Sequence, residues 1–205
     1  MTKRGRLFLI TAPSGAGKTS LVRELLRTHS NLRFSISYTT RPRRPNENDG
    51  RDYRFVSQVE FDRMVLAGEF LEHARVFDHC YGTSRNSVEE ERARGHDVLL
   101  EIDWQGTQQV RRTMPETLSI FILPPSREEL ERRLKARGTD SEAVIARRLR
   151  DAVADMSHWR EFDYVVVNDD FAQALTALDK ILAGRGEASR GARPDLQPLV
   201  AALLA

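Results

Sequence analysis

The stretch LFLITAPSGAGKTSLV, residues 7–22, constrains this chain more than any other segment. It begins as an unbroken apolar run, breaks into proline, serine, two glycines and a lysine, and then resumes as an apolar helix pattern. A strand, a glycine-rich loop and a helix in that order form the context in which a loop binds phosphate. Gly15 and Gly17 let consecutive backbone N–H groups turn inward on an anion, the helix N-terminus adds partial positive charge, and Lys18 can reach the outer phosphates of a nucleoside triphosphate. Thr19 can then offer its hydroxyl to Mg²⁺. The usual pattern, G-x-x-x-x-G-K-[ST], has glycine in its first position, where this chain has Ala12. The assignment therefore rests on G-x-G-K-T together with the flanking strand and helix, and Ala12, Pro13, Ser14, Gly15, Ala16, Gly17, Lys18 and Thr19 are the candidate triphosphate-binding residues.

Apolar runs alternate with helical patterns along the rest of the chain, which argues for a parallel sheet with crossover helices. Apolar runs at 7–11, 33–37, 97–102, 118–123 and 164–168 predict parallel strands. Helical patterns at 19–29, 84–94, 104–113, 126–137, 141–157 and 171–183 lie between and after them. Residues 51–84 depart from the rhythm and read as short strands around a helix, a small lobe inserted into the main sheet that could form a second wall facing the loop. The end, GRGEASRGARPDLQPLVAALLA, reads as a flexible linker before a short apolar helix, a docking or oligomerisation segment.

Composition narrows the function classes. With 32 basic against 30 acidic residues the net charge is +2, so the chain is not a uniformly cationic nucleic-acid binder. No run approaches the roughly 18 apolar residues of a membrane span, and the first apolar stretch stops at Pro13, too short for a signal peptide. One cysteine, Cys80, excludes an intrachain disulfide and suits a reducing cytoplasm. His73 and His79, six residues apart on strand-like segments, share no helix face and do not read as a zinc site.

A phosphate loop alone leaves the acceptor open. Joined to FSISYTTRPRRPNENDGRDY, FLEHARVFDHCYGTS, LLEIDWQGTQQV, FILPPSREELERRL, RGTD and VNDD, it closely resembles the guanylate kinase family in its bacterial form, over about residues 7–183. The resemblance implies an α/β fold of the P-loop NTPase type: a parallel five-stranded sheet flanked by helices, an inserted mixed α+β lobe that binds GMP, and a helical lid. It implies a kinase-like domain at 4–186, with core 4–37, 85–125 and 158–186, GMP-binding lobe 38–84 and lid 126–157, followed by a C-terminal linker and short helix at 187–205. The implied activity is transfer of the γ-phosphate of ATP to GMP with Mg²⁺, in the cytoplasm, with no nucleic-acid or membrane partner. Bacterial relatives are often oligomeric, which makes the C-terminal apolar helix a candidate homo-oligomer contact.

Carried over residue by residue, Arg41, Arg44, Tyr53 and Tyr81 match positions that hold the phosphate of GMP. Guanidinium forks and phenolic hydroxyls can satisfy a dianion without offering a competing nucleophile. Ser37, Glu72, Thr83 and Asp103 match positions that read guanine, whose N1–H and N2–H₂ form a donor pair that adenine lacks. A carboxylate just after a hydrophobic strand can also ligate Mg²⁺, so Asp103 keeps that alternative. Glu101 stands where the family usually has Asp, and whether it touches the metal, its water shell or the loop is open. Arg133, Arg137 and Arg148 match arginines that close on the ATP phosphates, and Asn168 matches a position near the adenine. Lys18, Arg41, Arg133, Arg137 and Arg148 are thus the expected charge stabilisers. The rivals are a non-catalytic guanylate-kinase-like interaction module and a related small-molecule kinase such as one acting on a ribose bisphosphate.

Overall fold

The computed structural model describes residues 3–76, 78–136 and 141–205. In chain order the elements are β1 (Leu7–Thr11), α1 (Lys18–Thr28), β2 (Leu32–Phe34), β3 (Tyr38–Thr39), β4 (Arg54–Phe55), α2 (Gln58–Leu66), β5 (Phe70–Val76), β6 (His79–Ser84), α3 (Arg85–Ala93), β7 (Asp97–Glu101), α4 (Trp104–Thr113), β8 (Leu118–Leu123), α5 (Arg127–Ala136), α6 (Glu142–Ser157), β9 (Tyr164–Val167), α7 (Phe171–Leu182) and α8 (Leu196–Leu204). The fold is α/β, with a five-stranded parallel sheet in the order β2-β7-β1-β8-β9 and a four-stranded sheet in the order β4-β3-β6-β5. All five expected strands are present. The second ends early, at Phe34: the Ser35 N–H still donates to the Leu99 carbonyl of β7 at 3.1 Å, but by Ser37 the chain has turned to the other sheet, and the Ser37 carbonyl accepts from the Arg54 N–H at 2.9 Å.

The chain divides into two compact units, and β1 contributes residues to both. The first comprises Met1–Leu9 and Asn31–Thr117. Its larger core gathers Leu7, Leu9, Leu71, Val98, Leu100 and Val110, residues of β1, β5, β7 and α4. Here α4 is begun by Asp103, whose side chain accepts from the Gly106 N–H, an ordinary helix N-cap. In the four-stranded sheet β3 runs parallel to β4 and antiparallel to β6, and β5 pairs antiparallel with β6. The β5–β6 register shifts between Phe70 and Glu72, a bulge after which Glu72 faces Thr83 and Ala74 faces Tyr81. Phe70 stacks on Phe61 of α2 with ring centroids 4.7 Å apart, which ties that helix to the sheet.

The second unit comprises Ile10–Ser30 and Leu118–Ala205. Here β8 and β9 pair in parallel, from Ile120 opposite Tyr164 to Leu123 opposite Val167, and Phe121 meets Phe162 edge-on at 4.9 Å. The C-terminal segment corrects the expectation of a flexible linker. It docks against β9: Gly191 donates to the Asp163 carbonyl at 2.9 Å, Arg193 donates to the Val165 carbonyl at 2.9 Å, and Arg190 bridges to Tyr164. Gly191 is glycine because a Cβ there would lie 2.4 Å from the Phe162 carbonyl oxygen. The apolar residues of α8, Leu196, Val200 and Leu203, are buried within the chain, and α8 packs on α6. The segment covers the exposed edge that β9 would otherwise present. Among the described residues no helix is long and apolar enough to cross a membrane.

Candidate functional site

Residues 12–19, the candidate triphosphate-binding loop, lie in the second unit. The chain leaves β1, whose five residues are all buried, and turns through residues 12–17 into α1. Gly15 and Gly17 have φ of 95° and 90°, a left-handed conformation that side chains other than glycine rarely adopt. Gly17 is the N-cap of α1, and the first turn of that helix carries no acidic residue to offset its positive end. Lys18 opens the helix and Thr19 follows it, exposed.

Behind the loop stand two supports. Asn168, 5% exposed, donates from Nδ2 to the Ala16 carbonyl at 2.7 Å. A Cβ on Gly17 would lie 2.3 Å from that same Nδ2, so the amide and a glycine fit only together. The Nη2 of Arg133 donates to the Asn168 carbonyl at 3.0 Å, its Nη1 reaches the Ala16 carbonyl at 3.5 Å, and its Nε donates to Glu129 at 2.7 Å. The hydrogen bonds of Arg132, then of Arg133, hold the Glu129 carboxyl down at about 2. Asn168, expected near adenine, therefore spends its side-chain donor on the loop itself. Of the other arginines expected to close on the ATP phosphates, Arg148 lies half-buried on α6, and Arg137 lies outside the described residues.

The residues expected to hold the acceptor lie in the first unit, around two clusters. Arg41 donates to Glu47 at 2.7 Å and to the Pro42 carbonyl at 2.8 Å, and its guanidinium lies 5.4 Å from the Tyr53 ring centroid and 5.8 Å from that of Phe55. Tyr53 in turn meets Tyr81 edge-on at 5.9 Å. Burial opposes the charge on Arg41, but the hydrogen bond and charge of Glu47 outweigh it and leave its pKa raised. Burial, and then the charge of Glu101, push the Tyr53 hydroxyl up to about 12, so it stays a hydrogen-bond donor at neutral pH. Arg44 is exposed and meets this cluster through its backbone, where its N–H donates to Glu47 at 2.9 Å.

In the second cluster Glu72 is 4% exposed and accepts from the fully buried Thr83 hydroxyl at 2.5 Å. Burial first, and then the charge of Asp103, push its carboxyl up to about 7, although the Thr83 hydrogen bond works the other way. A Cβ on Gly106 would fall 2.6 Å from Glu72 Oε2 and 3.4 Å from Asp103 Oδ1. The first turn of α4 thus admits two carboxylates because position 106 has no side chain. Ser37 is half-buried in the segment between β2 and β3.

The sequence reading missed Glu47, Glu129 and Gly106. Glu129 carries a signal, since it lies four residues before Arg133 on one helix face. Glu47 is six residues from Arg41 in an irregular segment, a spacing that no periodicity marks.

A model of the family described as guanylate kinase matches residues 4–185. The chain belongs to the guanylate kinase family. A guanylate kinase of Nitrosococcus oceani is 58% identical over 181 residues, 88% of this chain and 89% of that relative. One of Methylococcus capsulatus is 53% identical over 201 residues, 98% of each. The crystal structure of guanylate kinase from Anaplasma phagocytophilum superposes with a TM-score of 0.75 at 36% identity, covering 91% of this chain and 88% of that one. The guanylate kinase model ends at residue 185, so most of the C-terminal strap lies beyond it.

Proposed function

We propose that this chain transfers the γ-phosphoryl of ATP to GMP, giving ADP and GDP, and that it does so in the cytoplasm. The observation that carries the acceptor half is Glu72: a carboxylate buried next to a second one, Asp103, costs stability unless a ligand supplies donors. The N1–H and N2–H₂ of guanine are such donors. Thr83 fixes one Glu72 oxygen, and Ser37 completes the guanine set. The phosphate of GMP is held by Arg41, Arg44, Tyr53 and Tyr81, with Glu47 setting the direction of the Arg41 fork.

On the donor side the loop at 12–19 cradles the ATP phosphates, Lys18 neutralises the outer ones, and Asn168 and Arg133 keep the loop in shape. Arg137 and Arg148 join Arg133 in stabilising the transferring group. An oxygen of the GMP phosphate attacks the γ-phosphorus while the bond to the bridging oxygen of ADP breaks. The attacking oxygen is already anionic, so no general base is needed, and catalysis reduces to placing donor and acceptor in line and neutralising charge. Residues 38–84 act as the acceptor lobe and 126–157 as a lid, and closure when both substrates are bound would exclude water as the rival acceptor.

The residues fit Mg²⁺ brought in by the nucleotide. Among the described residues no group of three or more His, Cys, Asp or Glu could hold a metal alone, and Mg²⁺ commonly takes one or two protein ligands with substrate phosphates. Thr19 would hold it, with Glu101 directly or through water. Bound there, it supplies neutralisation of charge on the β- and γ-phosphates.

A non-catalytic interaction module would have no use for Lys18 and Thr19 at a braced loop, and a ribose bisphosphate kinase would have no use for Glu72 beside Asp103. The test is ADP release from ATP and Mg²⁺ with GMP, AMP, UMP and CMP offered in turn. Release with GMP alone supports the proposal. Equal release with all four, or with none, refutes it.

A further inference from the structure

Glu72 must be held in place, although its strand gives it little help. It follows a bulge in β5, and a bulge interrupts the ladder and re-aims the side chains beside it. Moreover β5 is the outermost strand of its sheet, with β6 on one side and, among the described residues, no strand on the other. The residue after Glu72, His73, would then carry an unpaired backbone N–H and C=O on that outer side.

Gln109 of α4 takes the place of the missing strand. Its Nε2 donates to the His73 carbonyl at 2.7 Å, and its Oε1 accepts from the His73 N–H at 3.1 Å. A side-chain amide with one donor and one acceptor reproduces the paired bonds of an antiparallel residue pair. The same helix is capped by Asp103 and carries Gly106, the residue that leaves room for Glu72 Oε2. One short helix therefore bears the second carboxylate, the space for the first, and the clamp on the strand that delivers the first.

We propose that Gln109 is a positioning residue for purine selection: by clamping His73 it fixes Glu72 relative to Asp103. The proposal rests on the assignment of Glu72 as a guanine reader. Without the clamp the bulged edge can shift, and a misplacement of about 1 Å commonly costs about a hundredfold in rate.

The experiment compares the parent with Gln109→Met, which keeps bulk and removes both hydrogen bonds, with Gln109→Glu, which keeps the acceptor and loses the donor, and with Glu72→Gln. KM and kcat are measured for ATP, GMP and AMP. Both Gln109 variants should raise KM for GMP about tenfold to a hundredfold and narrow the GMP/AMP ratio of kcat/KM, with KM for ATP unchanged. Unchanged KM for GMP and an unchanged ratio would overturn the proposal, and so would equal rises in KM for both substrates, the mark of general destabilisation. Selectivity that moves in Glu72→Gln but not in the Gln109 variants refutes this inference alone, whereas selectivity unmoved in Glu72→Gln refutes the assignment beneath it. Amide hydrogen exchange of the parent gives a reading independent of whether the variants fold. The His73 amide should be protected, and exchange at the rate of an open strand edge would overturn the clamp.

Discussion

Replacing Glu72 by Gln should make the ligand-free protein more stable and the enzyme less selective, two effects with one cause. The carboxyl is 4% exposed and its pKa rises from 4.5 to about 7, first through burial and then through the Asp103 charge. A carboxyl with a raised folded-state pKa favours folding as the neutral acid, so the cost of its charge is absent below pH 4.5, grows as pH rises through the interval to about 7, and is constant above it. At about 1.4 kcal/mol per pKa unit the full cost is roughly 3 kcal/mol, or about 6–12 °C in Tm for a chain of this size. Glutamine removes it while its amide oxygen can still accept from Thr83. Thermal melts of parent and variant should therefore nearly coincide at pH 4.5 and separate by pH 8, with the variant higher. On the proposed assignment the charge also reads guanine, and hydrogen bonds to a charged group are worth about 1.5–3 kcal/mol, so kcat/KM for GMP should fall about tenfold to a hundredfold. IMP, which lacks the 2-amino group, should lose less, and AMP should change little, narrowing the GMP/AMP ratio. Coincident melts at pH 8, or a GMP:IMP:AMP ranking with unchanged ratios, would refute the reasoning.

Lys18→Met should slow transfer about a hundredfold to a thousandfold while calorimetric titration shows GMP affinity intact, because the role proposed for the lysine is at the donor phosphates. Arg41→Met and Arg44→Met should weaken GMP and leave ATP affinity unchanged, and equal weakening of both in titrations would place these arginines on the donor side. Removing residues 187–205 should lower Tm without moving KM for GMP, since burial of Leu196, Val200 and Leu203 is worth roughly 1.5–3 kcal/mol each and the acceptor residues lie in the other unit. An unchanged Tm in that truncation would mean that the strap contributes nothing to stability.

How much of this was legible in the sequence depended on whether the residue had a local reason to be where it is. The parallel strands were legible because strands covered on both faces are continuous apolar runs, as β1 and β8 are. The two-residue strand Tyr38–Thr39 was not, since it is too short to show a period and its parallel pairing with Arg54–Phe55 joins residues 16 apart. Lys18 and the glycines, read with the strand and helix on either side, marked a candidate phosphate loop, whereas Glu72 and Arg41 were picked out by resemblance and acquired a physical reason only with their partners Thr83 and Glu47 in view. Gln109 looked like any polar helix residue, because what it clamps is 36 positions away. The glycines and arginines after residue 183 suggested flexibility by composition, but Gly191 is there for close packing and Arg193 for a backbone carbonyl.

The central claim is that the γ-phosphoryl of ATP ends on GMP, and following that group tests it most directly. ATP labelled at the γ-phosphorus, incubated with Mg²⁺, GMP and the enzyme, should give label in GDP, one equivalent for each ADP formed. Label in inorganic phosphate instead, or ADP formed without labelled GDP, would contradict it.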